Sequence, residues 1–135
     1  KVVKEPVVID VDAVGAKEAV DENYLCRFLI EGEANVNITV EDYNTLRPET
    51  FLNDTIVNVY LKHLQYSKLS VTDRDRVHIF SSFWFSRLTA KPNPTEEEQK
   101  DPVQRRHEKV KPWTKEVNIF EKDFVVVPIN ENSHW

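Results

Sequence analysis

Residues 50–64, TFLNDTIVNVYLKHL, carry Leu52, Ile56, Val59 and Tyr60 at helical spacing, and Val57, Leu61 and Leu64 widen the same stripe. Apolar residues recurring every three or four positions fit one face of a helix and not a strand, whose side chains alternate between faces. The pattern predicts a helix of about three to four turns whose apolar side must be packed against other elements. That makes it the expected central packing element, with Asn53 as a helix-start residue. Everything before it has a different texture. Residues 1–40 alternate short apolar runs with charges, EPVVIDVDAV, YLCRFLI and NVNITV, and their Val and Ile content predicts strands. Between the two textures stands TVED at residues 39–42, where the Thr39 hydroxyl can cap a free backbone N–H and Asp42 can reach back to the cap. Pro48 limits that helix to a short one.

Downstream, RVHIFSSFWFSRL places Phe80, Phe83, Trp84 and Leu88 at helical spacing. We read it as a helix whose aromatics are mostly core, with a strand as the alternative. Pro92, Pro94, Pro102 and Pro112 break the pattern and mark a surface loop, within which VQRRHEKVKPW is expected to form one or two helical turns. Then NIF reads as a short apolar element, EKD as a charged turn, and FVVVPI as a buried strand. NENS, residues 130–133, is a second turn because Asn and Ser hydrogen-bond their own backbone there. His134 and Trp135 then begin the next strand of a hairpin.

Composition narrows the chemistry. A chain of 135 residues suits one domain. The longest apolar runs fall well short of the roughly 20 residues that span a bilayer, and no basic-then-apolar leader opens the sequence, so a soluble, intracellular protein is the expectation. The net charge of −5 argues against a nucleic-acid module built on the basic residues 105–115. With only two glycines, a phosphate-cradling loop is absent. Cys26 is the single cysteine, so no internal disulfide forms; its position between Leu25 and Arg27 suggests a half-buried strand residue. Of the four histidines, no two share the spacing of a helical metal site, and no metal or other cofactor is expected. His63 ends the central helix, His107 sits among basic residues and is expected to be solvated, and His78 precedes the aromatic helix. His134, at a tight turn, can be held rigidly at the rim of a sheet, as a general base requires. From position alone, a structural role is the preferred reading, ahead of a catalytic one.

Three blocks, FLNDTIVNVYLKHL, VHIFSSFWFSRL and VKPWTKEVNIFEKDFVVVPINENSHW, together with the looser NITVEDYNTL, resemble the signatures of the Ulp/SENP family of SUMO-specific cysteine proteases in order and spacing. The first is similar to that family's WLND-x-x-I-x-x-Y motif. The likeness covers residues 38–135 apart from a loop at about 89–108, and its wording is nearest to the branch that trims poly-SUMO chains. It implies a papain-like α+β fold, incomplete in this chain, preceded by a β-rich extension over residues 1–37.

It also implies a Cys–His–Asp triad in which His134 is the catalytic histidine. Trp135 would wall one side of the narrow channel for the Gly-Gly tail of SUMO. Phe51 would occupy the opposite wall, usually a tryptophan. Asp54 would pair with a basic residue of SUMO, although a first-turn acid that favours the helix dipole explains it too. The expected partners are SUMO and its conjugates, together with a second chain or C-terminal segment that supplies the catalytic cysteine and aspartate. No membrane partner is implied, and nuclear or partly cytoplasmic localisation is. Cys26 lies ahead of the helix that carries Phe51 and matches nothing in the motif. IEGEANVN stands where the branch has a proline-rich loop. A non-catalytic SUMO-binding or scaffold module is the alternative, since Phe51, Asp54 and Trp135 would persist in it.

Overall fold

The computed structural model describes residues 9–10, 23–29, 35–91 and 101–135. The rest of EPVVIDVDAV and the acidic segment at residues 92–100 lie outside the described residues. The chain divides into two units, Lys1–Ser70 and Val71–Trp135.

The first unit begins with an antiparallel sheet in the order β1 (Ile9–Asp10), β2 (Tyr24–Phe28), β3 (Val36–Thr39). The strand period decides what is covered. Cys26 and Phe28, two positions apart, are buried while Leu25 and Arg27 are exposed. Cys26 is opposite Ile38 and Phe28 opposite Val36. On the outer face, Arg27 Nε donates to Asn37 Oδ1 at 3.1 Å. Cys26 is therefore a strand residue as expected, but buried rather than half-buried.

At Thr39 the chain turns directly into α1 (Val40–Asn44). The capping box read from TVED is present, with Asp42 N donating to Thr39 Oγ1 at 3.1 Å and Thr39 N donating to Asp42 Oδ2 at 2.8 Å. A loop follows in which Glu49 takes a left-handed φ of 64°. Asn53 then caps α2 (Asp54–His63), its Oδ1 accepting from Ile56 N at 3.0 Å. The last turns relax into a π-helical segment, Leu64–Lys68, where the Ser67 hydroxyl lies 3.2 Å from His63 Nδ1. The stripe expected on α2 is only partly used. Ile56, Val57, Val59, Leu61 and Leu64 are half-buried, but Leu52 is 41% and Tyr60 59% exposed. Leu52 precedes the helix and Tyr60 lies within it, so helical spacing alone overstates the covered face.

The second unit contains α3 (Val71–Arg76), β4 (Val77–Ile79), α4 (Phe83–Thr89), α5 (Pro102–Val110), two 3-10 turns at Lys111–Thr114 and Ile119–Glu121, and β5 (Phe124–Val126). Strands β4 and β5 pair in parallel, Val77 with Phe124 and Ile79 with Val126, across a crossover that carries α4 and α5. The pair is extended at both ends. Asp123 N donates to Arg76 O and Phe80 N to Val126 O, each at 2.9 Å. The Arg76 guanidinium also donates to the Asp123 carboxylate and forms an ion pair with it, which raises its pKa further.

Two expectations are corrected here. The segment RVHIFSSFWFSRL, residues 76–88, is not one helix: Val77, His78 and Ile79 form a strand, and the helix begins only at Phe83. Pairing with β5 overrides the three-and-four spacing, and β-branched Val77 and Ile79 suit it. Phe80 sits between the two elements, 3% exposed, stacked on Trp84 at 4.4 Å and edge-on to His78 at 4.5 Å. The second correction concerns FVVVPI. Phe124, Val125 and Val126 are 62%, 43% and 37% exposed. The two-stranded sheet gives β5 one hydrogen-bonded neighbour and leaves its side chains uncovered. The turns read within the proline-rich stretch are a full helix, α5, capped by Asp101 with Pro102 in its first turn.

Candidate functional site

The four expected site residues fall into two local constellations, one in each unit. Phe51 and Asp54 flank the start of α2. Phe51 is 73% exposed, so its ring is held by its backbone and not by packing. Asp54 is the first residue of the helix and half-buried, where a carboxylate favours the positive end of the dipole.

Between them, Asn53 does more than cap. While its Oδ1 accepts from Ile56 N, its Nδ2 donates to Asp42 Oδ1 at 2.6 Å, eleven residues away in the chain. Burial alone would raise the Asp42 pKa. The hydrogen bonds from the Thr39 backbone and side chain, Asn53 and Thr55 outweigh it and hold the carboxyl below the usual range. Sequence reading identified Asn53 and Asp42 separately, each from its local cap. The bond between them had no local signal, because it joins the starts of two helices.

His134 and Trp135 follow a tight turn. Glu131 N donates to His134 O at 2.9 Å and His134 N to Glu131 O at 3.1 Å. The two residues between, Asn132 and Ser133, have φ of 53° and 61°. Two central residues with positive φ define the type I′ turn, whose twist matches that of a two-stranded hairpin. The turn predicted at NENS is therefore real, and it fixes the backbone of His134 by two hydrogen bonds. Within this chain the His134 side chain is exposed and Trp135 is half-buried.

Cys26 lies buried in β2 with its side chain on the inner face of the sheet, a setting in which thiols are inert. An open groove of about 600 Å³ in the second unit is bordered by Trp84, His107, Val110, Ile119 and Phe120, and by none of the expected site residues. His107 is exposed, as expected of a solvated histidine. Among the described residues, no three His, Cys, Asp or Glu side chains are grouped as a metal ion would need.

Comparison with known proteins identifies the family and the fold. Residues 50–135 match the Ulp1 protease family, C-terminal catalytic domain. Sentrin-specific protease 6 of Mus musculus is 45% identical over 104 residues, which are 76% of this chain and 9% of that protein. Sentrin-specific protease 7 of Rattus norvegicus is also 45% identical, over 76% of this chain and 10% of its own length. Ubiquitin-like-specific protease 2 of Schizosaccharomyces pombe is 39% identical over 77% of this chain and 16% of its length. The chain thus spans a small part of these relatives. A crystal structure of "the de-sumoylating protease" superposes with a TM-score of 0.64 at 28% identity, over 81% of this chain and 39% of that one. The strands and helices described above are accordingly part of an α+β protease fold, and the chain belongs to the Ulp1 protease family.

Proposed function

We propose that this chain supplies the N-terminal part of the catalytic domain of a SUMO-specific cysteine protease, residues 38–135, behind an extension over residues 1–37. The substrate is the bond that follows the Gly-Gly terminus of SUMO, chiefly the isopeptide bond to lysine within poly-SUMO chains. The reading is supported by the names of the relatives, which include sentrin-specific and ubiquitin-like-specific proteases. The observation that carries it is the type I′ turn, which holds the His134 backbone beside Trp135.

In this reading His134 takes the proton of a cysteine thiol that a second chain or a C-terminal segment contributes, together with an aspartate. An ordinary cysteine thiol ionises at about pH 8.5, and an adjacent imidazolium lowers that by several units. The thiolate attacks the carbonyl carbon of the terminal glycine. As the C–N bond breaks, the imidazolium returns its proton to the departing lysine amine. Water then hydrolyses the thioester and frees the SUMO carboxylate. Trp135 and Phe51 are aromatic contacts for the glycine tail, and Asp54 pairs with a basic residue of SUMO. Phe in place of the usual tryptophan keeps an aromatic plane and gives up the indole N–H. A nuclear location follows from the same reading.

The test is His134→Ala in the full-length protease. Cleavage of a SUMO–lysine isopeptide should fall by about a thousandfold or more, while SUMO affinity stays within about threefold. Undiminished cleavage would refute the catalytic role. Lost binding together with lost cleavage would favour a scaffold module.

A further inference from the structure

We propose that Asp42 is a positioning residue for the substrate: its carboxylate clasps the Asn53 amide, so that Phe51 and Asp54 on either side are presented in one orientation. The role rests on the reading of Phe51 and Asp54 as SUMO contacts. It begins from a mismatch. Phe51 is 73% exposed, with no core to orient it, yet a contact residue held before the partner arrives loses less conformational freedom on binding and so contributes more affinity.

The backbone on both sides of Phe51 is tied down by polar bonds. On the N-terminal side, Thr50 Oγ1 shares its proton between Thr45 O at 2.9 Å and Arg47 O at 2.6 Å. Thr45 Oγ1 in turn donates to Asp42 O at 2.7 Å. On the C-terminal side stands Asn53. Its oxygen is committed to Ile56 N, so its amino group must face Asp42. Asp42 can receive it only as an acceptor on every side. Its Oδ2 already takes Thr39 N and Thr39 Oγ1, each at 2.8 Å, and Thr55 contributes a further side-chain bond. A carboxylate has the lone pairs for all of these, and an amide in its place does not. Asp42 therefore links the capping box of α1 to the cap of α2, and the loop carrying Phe51 is closed between them.

The test uses kinetics on the full-length protease with a SUMO–lysine isopeptide substrate. Asp42→Asn puts an amino group against a donor, and Asn53→Asp sets two carboxylates against each other. Either change should raise KM about tenfold and leave kcat within about twofold. Combining the two restores the pattern with its polarity reversed, since the amide introduced at position 42 would donate to the carboxylate introduced at position 53. KM should then return to within about twofold of the parent. A merely structural role would instead lower the active fraction, which reduces kcat and leaves KM where it was. Asn53→Ser keeps a helix cap but removes the amino group, so it reports on the clasp even if the other single variants fold poorly; it too should raise KM. Unmoved KM in Asn53→Ser, or a double variant no better than either single one, overturns the clasp. A parent protein that cleaves no SUMO substrate overturns the protease reading instead, and the positioning role with it.

Discussion

The start of α2 and the region around β5 are both places where this chain exposes large apolar side chains, yet they are stabilised by opposite means. Around Phe51 the backbone is held by side-chain hydrogen bonds from Thr39, Asp42, Thr50 and Asn53, most of them bridging a few residues. Around Phe124 it is held by a parallel ladder to a distant strand, and the Arg76–Asp123 pairing that opens the ladder spans 47 positions. The first kind of order is local and comes with the sequence. The second requires the crossover through α4 and α5 to have folded. Exposure thus has two meanings in one molecule: an aromatic displayed on a clasped loop, and a strand whose faces nothing in its own sheet covers.

The sharpest way to break this contrast is at the aromatic that anchors the ladder. Phe80→Ala removes a ring that is 3% exposed and stacked on Trp84, and should destabilise the second unit by about 3–5 kcal/mol in denaturant unfolding. Phe124→Ala, at 62% exposure, should cost less than about 1 kcal/mol by the same measurement. Equal losses would mean that β5 is not a solvent-facing strand. Next in size is the cap: Asn53→Ala should cost about 1–2 kcal/mol and accelerate amide exchange at Ile56, whose N–H it leaves unbonded.

The pH dependence of that same region follows from Asp42. Its folded pKa lies below its unfolded one, so the stability it contributes is complete above the ordinary carboxylate range and is lost as pH falls through the lowered folded value. Unfolding curves from about pH 7 down to about pH 2 should show this acid-side loss, and Asp42→Asn should reduce its slope. The smallest effect is at the second turn. Ser133 holds a φ of 61°, which glycine adopts without a Cβ clash. Ser133→Gly should stabilise the Glu131–His134 bridge by roughly a few tenths of a kcal/mol, seen as slower exchange of the His134 amide.

The same division governs what could be read in advance. TVED as a capping box and Asn53 as a helix start were legible because each is decided by a side chain bonding backbone within three residues. NENS was legible as a turn from its Asn and Ser residues, although backbone bonds between Glu131 and His134 close it. The candidate site was legible only through likeness to a family. Position alone favoured a structural role for His134 over a catalytic one, and helical periodicity said nothing of Phe51. The helix read over residues 76–88 holds only from Phe83 onward, because Val77 and Ile79 have a strand partner that no local pattern announces. FVVVPI read as buried because an apolar run records that a strand tolerates burial and not whether anything lies over it.

By itself, then, the sequence determined the turn at NENS and the helix starts at Thr39 and Asn53, since those follow from torsional preference and short-range hydrogen bonding. Only the tertiary structure decided that Asp42 reaches Asn53, that β4 accompanies β5, and that Phe80 is enclosed while Phe124 is not. Those contacts join segments whose separation along the chain leaves no periodic trace, and their free energy appears only once several elements have come together.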